Sequence, residues 1–422
     1  MLISCNKIPN KKKSAIRKPA SSFSFALYDN VPSINEAHWN KVIGNKDGFL
    51  QLLYLRALEN APPSNMRFYY ALIYDEQNPV AAAYFQMLNF NAENLEGLLT
   101  EDENGNCFSG FKKYLTNHIL KSVDKVNMRL LICGNSFISG EHGFIHTPEI
   151  TPDAAFDALA DVIYRISNSE KLRGKVSAVL IKDFYKSTVK NAKELEEFRY
   201  HDFLVEPNMI LKIKANWNTF EDYANALSKK YRNRAKKILS KGSVFERRLL
   251  SIEEIEKHSK KIHELYTNVL FKAKFRLAIL PVNYFIEMHN KLKDNFQLTG
   301  YFFNEELVGF KSSFLLKYEL EAHFVGMDYS INKEFELYQN ILYDYVKEAI
   351  LYKKNILHLG RTASEIKSNL GAKAYELTCY ARHRNPLSNR IIRPLIDYLK
   401  PEEWTPRNPF KEEGVLPMPT RL

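Results

Sequence analysis

Two segments of the chain share one hairpin pattern, and this repeat constrains the fold more than any other feature of the sequence. Each has an apolar run, an acidic turn and a second run that begins with Val-Ala or Val-Gly: FYYALIYDEQNPVAAAYF from Phe68 and QLTGYFFNEELVGFKSSF from Gln297. Apolar runs around such turns are typical of β-hairpins. A strand–helix–strand pattern follows each hairpin. The repeat therefore predicts two halves of similar architecture, with two unrelated hairpins as the alternative.

The length of the chain leads to the same division. A chain of 422 residues exceeds what one hydrophobic core usually organises. Strand and helix patterns alternate along it, which predicts a mixed α/β fold. We expect a basic disordered N-terminus, a first domain, a second domain and a proline-rich tail, over residues 1–22, 23–213, 214–384 and 385–422.

Targeting and cysteine patterns favour a cytoplasmic protein. No stretch approaches the roughly 20 apolar residues that cross a bilayer. The basic stretch Met1–Pro19 is not followed by the apolar core of a signal peptide. Cys5, Cys107, Cys133 and Cys379 are too scattered for a zinc site or a disulfide framework. We therefore expect reduced cysteines, no metal site and no tightly bound cofactor.

The net charge of +11 falls entirely in the second half of the chain. Residues 1–210 hold 24 basic and 24 acidic side chains, whereas residues 211–422 hold 36 basic and 25 acidic ones. Such an excess indicates an anionic partner, for example the phosphates of coenzyme A, a nucleotide-linked sugar, tRNA or a lipid surface. A basic surface that serves only solubility is the alternative.

One segment, SKKYRNRAKKILSK at residues 228–241, concentrates this charge. It carries seven Lys or Arg side chains and no acid, within a helix predicted over Phe220–Leu239. Tyr231 and Ile238 belong to an apolar stripe on that helix. We expect the segment to bind tRNA or an anionic membrane surface, and not DNA. A merely solvated helix is the alternative.

The run FELYQNILYDYVKEAILYKKNILHLGRTASEIKSNLGAKAYELTCY resembles the last quarter of twin-GNAT proteins, which include Fem-type peptidoglycan aminoacyltransferases and FemAB-like acyltransferases. In them a long helix leads to a strand ending in Gly, then to a Lys and a further Gly, and here His358 to Gly360 and Lys367 to Gly371 match. The resemblance covers residues 23–384. It implies two GNAT-like (acyl-CoA N-acyltransferase) domains in tandem that transfer an acyl group to an amine. It also implies that backbone amides at a splayed strand polarise the acyl carbonyl.

One loop departs from the GNAT pattern. A typical acetyl-CoA-binding member has a glycine-rich loop after its fourth strand, and the N–H groups of that loop hold the pyrophosphate. The corresponding residues here, 328–335, include no glycine, so side chains would crowd the phosphate. Fem-type proteins often lack the loop too and take the acyl group from a charged tRNA. The resemblance therefore leaves acyl-CoA and aminoacyl-tRNA open as donor substrates.

Three titratable side chains share one face of the predicted strand Glu319–Val325. Glu319, Glu321 and His323 alternate with apolar residues, and side chains two apart along a strand point to the same side. Such a face either borders a wet cleft or is simply exposed. Glu321 and His323 are candidate catalytic residues, and His323 is the candidate base because its ordinary pKa lies near neutrality. A structural histidine is the alternative.

Further candidates follow the strand that ends in His-Leu-Gly, where open α/β sheets place ligand contacts. Arg361, Glu365 and Lys367 are expected to bind substrate, the two cations through phosphate. An exposed Arg361–Glu365 salt bridge is the alternative. Lys311 is a further substrate-binding candidate, and Tyr380 is a candidate proton donor, with Tyr343 as the alternative.

Three functions are compatible with the sequence. The preferred one is an N-acyltransferase that moves an acyl group from an acyl-CoA or acyl carrier to the amine of a small molecule, a lipid or a cell-envelope precursor. The second is a Fem-type transferase that uses aminoacyl-tRNA. The third is a non-catalytic twin-GNAT module that binds RNA or a membrane through residues 228–241.

Overall fold

In the part of the chain that the structure describes, thirteen strands form one sheet. The computed structural model describes residues 21–44, 47–90, 128–169, 176–272, 277–389 and 403–411. The strands are β1 Ser24–Tyr28, β2 Met66–Asp75, β3 Asn78–Phe90, β4 Met128–Cys133, β5 Phe144–His146, β6 Val176–Tyr185, β7 His201–Lys212, β8 Glu246–Leu249, β9 Phe296–Phe303, β10 Glu306–Leu315, β11 Glu319–Met327, β12 Ile356–His358 and β13 Lys373–His383. Their order across the sheet is β1-β2-β3-β4-β6-β13-β7-β12-β11-β10-β9-β8, with β5 beside β3.

Helices lie between these strands in the chain and cover the sheet, so the expected mixed α/β class is confirmed. They are α1 Glu36–Ile43, α2 Leu52–Asn60, α3 Pro152–Asn168, α4 Glu194–Glu197, α5 Phe220–Ala226, α6 Lys229–Lys241, α7 Ile252–Leu270, α8 Tyr284–Leu292, α9 Tyr329–Phe335, α10 Leu337–Leu351 and α11 Ser364–Ser368.

Both predicted hairpins are present, as β2–β3 and β9–β10. In the second, Phe303 pairs with Glu306, and the two residues between them, Asn304 and Glu305, have φ values of 49° and 65°. A two-residue turn with both φ angles positive follows the right-handed twist of the flanking strands. The repeat in the sequence thus corresponds to equivalent hairpins in the two arms of the sheet.

The two halves exchange strands where they meet. β13 is the last of the described strands along the chain. It lies between β6 and β7, where Tyr380 pairs with Ile181 on one side and with Asp202 on the other. β7, which precedes the predicted boundary, lies between β13 and β12 and pairs Leu211 with Leu357. The part of the sheet that belongs to each half is thereby extended by one strand from the other half. The boundary at residues 213 and 214 stays a prediction, and the strands on its two sides belong to one sheet.

The two faces of the sheet are covered differently. On one face the helices of both halves share a single apolar core, with Trp39 of α1 and Leu55 of α2 in the same cluster as Ile262 of α7 and Tyr284 of α8. On the opposite face the halves are covered separately, by α3 over the first half and by α5, α6 and α10 over the second. The shared core and the exchanged strands fix the halves against each other.

The basic segment forms two helices. The prediction of one continuous helix over Phe220–Leu239 is wrong, because the backbone is extended at Leu227 and Ser228. Part of the predicted tail passes at this point: Phe410 bridges to Leu227, and the Ser228 N–H donates to the carbonyl of Pro409 at 2.8 Å. This contact with the tail replaces the helical hydrogen bonding that would join α5 to α6.

Several predictions fall outside the described residues. These are the disordered N-terminus up to residue 20 and much of the tail, and residues 91–125, whose polar and then helical sequence pattern predicts an insertion, lie outside as well. Cys133 and Cys379 are buried and unpaired thiols. Within the described ranges, no helix has both the length and the apolar composition needed to span a bilayer.

Cutting the chain between residues 213 and 214 tests the strand exchange. The first fragment would lose β13 from between β6 and β7, and the second would lose β7 from beside β12. We expect each fragment alone to be unfolded or aggregated, because unpaired strand edges are exposed, and co-expression to restore one cooperative complex. Circular dichroism and calorimetry measure this, and cooperative unfolding of either fragment alone would contradict the exchange.

Candidate active site at the junction of the halves

Two parallel strands part at the centre of the sheet. β11 and β12 pair over three residues each, and the last pair is Glu321 with His358. Beyond it, β11 continues beside β10 to Met327. Leu359 stays on β7, because its N–H donates to the carbonyl of Met209 at 2.8 Å. We call the space between the diverging strands the gap.

His358 stands at the base of the gap between a carboxylate and an amide. Its Nε2–H donates to Oε2 of Glu319 at 2.9 Å, and its Nδ1 lies 3.2 Å from Nδ2 of Asn208. Burial would lower the pKa of His358. The hydrogen bond to Glu319 and the charges of Glu321 and Glu319 outweigh burial and hold the pKa above its ordinary value.

Glu321 is the buried carboxyl of this group. Only 4% of the residue is exposed, and its Oε2 lies 3.9 Å from Nδ1 of His358. Burial raises the pKa of Glu321 to about 8, although the charge of His358 opposes the rise. The hydrogen bond from His358 instead lowers the pKa of the more exposed Glu319. Two carboxyls on one strand face therefore differ in protonation near neutral pH.

The first half of the chain contributes a second imidazole–carboxylate pair. Nδ1 of His142 lies 3.0 Å from Oδ2 of Asp47. Burial acts to lower the pKa of His142, but the charge and hydrogen bond of Asp47 raise it, and the net direction is upward. The charge of His142 in turn helps to lower the pKa of Glu319. The two pairs thus influence each other across the junction.

A glycine allows the first-half pair to approach the second. Gly140 has a φ of 120°, and a Cβ at this position would lie 3.0 Å from Nε2 of His142 and 3.2 Å from the hydroxyl of Tyr185. The same hydroxyl accepts a hydrogen bond from Nδ2 of Asn208 at 3.0 Å. Because Asn208 also contacts His358, polar groups from the loop before β5, from β6, from β7 and from β12 lie close together.

A buried ion pair also joins the halves. Arg361, just after β12, pairs with Asp183 of β6, which is fully buried. Nζ of Lys182 lies 3.2 Å from the other carboxylate oxygen of Asp183, and the Gly140 N–H donates to that oxygen at 3.2 Å. Burial would raise the pKa of Asp183, but the charges of Arg361 and Lys182 lower it to about 2. Asp183 is therefore ionised at any working pH.

Lys367 lies beneath the turn that follows β12. It is 3% exposed, and its Nζ donates to the carbonyls of Gly360, at 3.3 Å, and Arg361. Burial lowers the pKa of Lys367 to about 7, against the attraction of Glu206 and Glu321. The residue therefore holds the turn in place and carries a proton that it releases near neutrality.

His323, the predicted base, lies among aromatic rings. Its Nε2 is hydrogen-bonded to the Tyr284 hydroxyl at 2.9 Å, and its ring centroid is 4.7 Å from that of Phe314 and 4.1 Å from that of Phe324. Burial lowers the pKa of His323 to about 3. An imidazole with this pKa is neutral at working pH and accepts a proton weakly, which disfavours His323 as the base relative to Glu321.

Two other candidates lie on the opposite face of the sheet. Lys311 pairs with Glu348 of α10. Tyr380 packs edge-on against Phe184 in the cluster beneath α3. Both side chains are therefore engaged with helices rather than with the gap.

Glu365 and Arg361 have separate partners. Glu365 accepts a hydrogen bond from Arg407 of the tail at 2.5 Å, whereas Arg361 faces Asp183. The alternative of an exposed Arg361–Glu365 salt bridge is therefore wrong, because Arg361 turns inward. Of the predicted site residues, the structure brings Glu321, Arg361 and Lys367 together around the gap.

The sequence did not identify the site residues that precede the predicted boundary. A glycine-rich loop directly after β4 was the available signal for His142, since such loops let a backbone approach closely. For the others the sequence offers no local signal, because strand exchange alone brings them to β12. The missed residues are Asp47, His142, Lys182, Asp183, Tyr185 and Asn208.

The first half has an opening of its own. β4 pairs in parallel with β6 as far as Cys133 and Ile181, where β4 ends and β6 runs on. A pocket of about 200 Å³ lies there, lined by residues that include Phe144, Phe156 and Lys182. Each half therefore has a break between neighbouring parallel strands. Across the described ranges, no group of three or more His, Cys, Asp and Glu side chains is placed to hold a metal ion.

Solved structures share the overall fold of this chain. FemX is 11% identical and matches with a TM-score of 0.53 over 87% of this chain and 99% of that chain. A tandem GNAT protein from the clavulanic acid biosynthesis pathway is 8% identical and matches with a TM-score of 0.51 over 86% of this chain and 99% of that one. No family model and no curated protein matches the sequence. The chain thus has a tandem GNAT fold, as the resemblance implied, and at these identities the fold is what is shared.

The Arg361→Gln substitution tests the ion pair that joins the halves. Removing one partner of a buried pair leaves the other undercompensated, and with Lys182 still beside Asp183 we expect a loss of about 3 kcal/mol in the free energy of unfolding. Because its folded-state pKa is lowered, Asp183 stabilises the fold above its unfolded pKa and loses this contribution as pH falls through about 2. In the variant that pKa rises, so acid unfolding begins at higher pH. Denaturant titrations measure both effects, with the exposed Arg407→Gln as the control expected to change neither.

Proposed function

We propose that the protein is an N-acyltransferase that moves an acyl group from an acyl thioester to the amine of a small molecule, a lipid or a cell-envelope precursor. The observation that supports this most directly is the gap, which opens immediately beyond a buried carboxyl, Glu321, and the imidazole of His358. The resemblance implies that backbone amides at a splayed strand polarise the acyl carbonyl, and the gap supports this because two strands part there. Amine acylation needs a proton acceptor at the same position.

In this proposal Glu321 accepts the proton of the attacking amine. Its pKa of about 8 makes it a stronger base than an ordinary carboxylate. The amine nitrogen loses its proton to Glu321 and forms a bond to the acyl carbon. The bond from that carbon to the sulfur of the donor breaks, and the sulfur leaves with the electron pair and is then protonated. His358, held by Glu319, is a positioning residue whose charge favours the ionised form of Glu321.

The start of α10 supports a donor other than ordinary acetyl-CoA. In this position a GNAT protein that binds coenzyme A presents glycine N–H groups to pyrophosphate. Here the residue before α9 is Asp328, whose carboxylate caps the helix by accepting from the Ser330 N–H at 2.8 Å, and the residue before α10 is Glu336. Carboxylates at these positions repel phosphate. An aminoacyl-tRNA donor is therefore a second candidate.

The basic helix α6 favours this second candidate. Lys230, Arg234, Lys237 and Lys241 occur at i, i+4, i+7 and i+11, so they form one stripe about 16 Å long on the helix. We call this the cationic stripe. At its C-terminal end Lys241 pairs with Glu336 at 2.8 Å. The stripe therefore runs up to the start of α10, where the donor's phosphates lie in the GNAT pattern.

The same helix argues for RNA over a membrane as its partner. Ala235 and Ile238 are buried in the core, and Tyr231 and Leu239 are partly buried against it. α6, which is described along its whole length, has no exposed large apolar side chain to enter a bilayer. A stripe of exposed cations without such a side chain matches a phosphate backbone. A cytoplasmic location is part of the same proposal.

A pH profile tests the role of Glu321. In a screen of acyl-CoAs, acyl carriers and aminoacyl-tRNA against primary amines, we expect kcat/KM to rise with pH around a midpoint near 8, as Glu321 ionises. Glu321→Gln should lower kcat/KM by about 100-fold or more. His358→Asn removes a charge that lowers the pKa of Glu321, so the midpoint should move to higher pH. Glu376→Gln, at an exposed partner of Lys186, is the control, and an unshifted midpoint in His358→Asn would contradict the assignment.

Paired substitutions test the cationic stripe. Lys230→Gln/Lys237→Gln removes two cations from the stripe, whereas Lys229→Gln/Lys236→Gln removes two exposed cations from another side of α6. For uncharged tRNA, the first variant should weaken binding and reduce the slope of log K against log salt concentration by about 2. The second should change both much less. Fluorescence anisotropy with tRNA, a DNA duplex and anionic vesicles measures this, and equal effects of the two variants would argue against the stripe.

A further inference from the structure

A short piece of the tail crosses the break between α5 and α6, and we call this piece, residues 407–411, the strap. A single antiparallel bridge joins Phe410 to Leu227. Next to it, the Lys411 N–H donates to the carbonyl of Ala226 at 3.0 Å. A segment that is held by so few backbone hydrogen bonds belongs to the part of a structure that opens locally, without unfolding of the domain.

The ring of Phe410 fills a slot in the surface of the second half. Its centroid lies 5.6 Å from that of Trp217 at an interplanar angle of 37°, and Tyr223 packs edge-on against it at 6.1 Å. Nζ of Lys214 is 5.8 Å from the centroid of Phe410 and 5.9 Å from that of Trp217. A Cβ at Gly371 would overlap the ring of Phe410, so this glycine gives the slot its depth. We call the space that the ring occupies the slot.

The residues around the slot are those that bind a planar base. Proteins that bind single-stranded nucleic acid stack the bases on aromatic side chains and hold the backbone with cations. Trp217 provides the aromatic face, and Lys214 provides a cation near it. Both Trp217, which is 6% exposed, and its edge-on neighbour Tyr223 are fixed by packing, and the Tyr223 hydroxyl donates to the carbonyl of Leu370 at 3.0 Å. The face that Phe410 covers is therefore preorganised for a ring.

The slot also lies beside the cationic stripe. Leu227, which bridges to Phe410, is three residues before Lys230, the first residue of the stripe. Three residues span at most about 10 Å. An RNA strand whose phosphates follow the stripe therefore passes close to the slot.

We propose that the slot binds a base of single-stranded RNA, and that the strap blocks it with Phe410 in the position of the base until RNA displaces the strap. This inference rests on RNA binding by α6, the second candidate function, and deepens it by naming an unpaired base as the part of the RNA that is recognised. Only chains with an open slot can take the base, so the docked strap lowers the apparent affinity in proportion to the open fraction. Bases within a duplex are already stacked and cannot enter.

Phe410→Ala tests the blocking role in the full chain. The probes are a single-stranded oligoadenylate and an abasic oligonucleotide of equal length, which has the phosphates without the bases. Loss of the ring raises the fraction of open slots, so we expect the variant to bind oligoadenylate about tenfold more tightly and the abasic probe with unchanged affinity. The slope of log K against log salt concentration should not change, because no phosphate contact is gained. Asn408→Ala, at an exposed residue of the strap, is the control and should bind both probes normally.

A second substitution tests whether the base stacks in the slot. In the Phe410→Ala background, Trp217→Leu removes the aromatic face and should abolish the gain for oligoadenylate. A fluorescent purine analogue in the oligonucleotide should be quenched on binding to Phe410→Ala and much less with Trp217→Leu added. An equal gain for the two probes in Phe410→Ala would mean that the strap only covers cations, and it would overturn the proposal. Unchanged affinity for both probes would overturn it as well.

Hydrogen exchange tests displacement of the strap in the unmodified protein, where no substitution can disturb the fold. Saturating oligoadenylate should accelerate exchange of the Lys411 amide, which is bonded to Ala226 while the strap is docked. The abasic probe should leave the exchange rate unchanged. Slower or unchanged exchange with oligoadenylate would refute displacement.

The outcomes distinguish this inference from RNA binding by α6. Binding of tRNA that depends on the cationic stripe, without any effect of Phe410→Ala or of RNA on the strap, would refute the slot and leave RNA binding standing. Tighter oligoadenylate binding by Phe410→Ala, with normal tRNA binding by Lys230→Gln/Lys237→Gln, would support the slot and refute the stripe. Failure of both the unmodified protein and Phe410→Ala to bind tRNA or oligoadenylate would refute both.

Discussion

Backbone hydrogen bonding along β7 and β13 is the constraint on which the rest of the structure depends. These two strands lie side by side at the centre of the sheet, and each also pairs with a strand from the far side of the predicted boundary. In a strand in the middle of a sheet, the pairing register determines the face to which each side chain points, because a slip of one residue moves every side chain to the opposite face. The register of β7 therefore sets which of its side chains meet β12, and Asn208 reaches His358 for this reason.

The charged groups near the gap illustrate how burial and pairing act against each other. Glu319 and Glu321 are two residues apart on one strand, yet the hydrogen bond from His358 lowers the pKa of one and burial raises the pKa of the other. Asp183 is buried as deeply as Glu321 but stays ionised, because Arg361 and Lys182 compensate its charge. The ion pair between β6 and the turn after β12 thus stays charged, whereas the carboxyl and imidazole groups at the base of the gap can gain or lose a proton. This separation suits a site in which one proton is transferred while the neighbouring ion pair stays charged.

The sequence predicted the parts of the fold that depend on neighbours in the chain. The hairpins from Phe68 and Gln297 were readable from their apolar runs and turns, and Glu321 was readable from the alternation on β11. The break between α5 and α6 at Leu227 was not predictable in this way, because a tail segment nearly two hundred residues away causes it. For the same reason the sequence offered only Glu365, a near neighbour on a helix, as an alternative ion-pair partner of Arg361, and not Asp183. Pairings set by strand order across the whole sheet leave no periodic trace in the sequence, and most of the candidate site is made of them.

The exchanged strands also determine when the protein can fold during its synthesis. β6 receives β13 as its neighbour, and that strand leaves the ribosome roughly 190 residues after β6 does. Until then β6 has an unpaired edge next to an apolar core that is otherwise complete, which is the condition under which nascent chains aggregate or recruit chaperones. Contacts so distant along the chain also slow folding, because a long loop must close before they form. The protein therefore reaches its native state as one late event, which cannot occur before β13 has been translated.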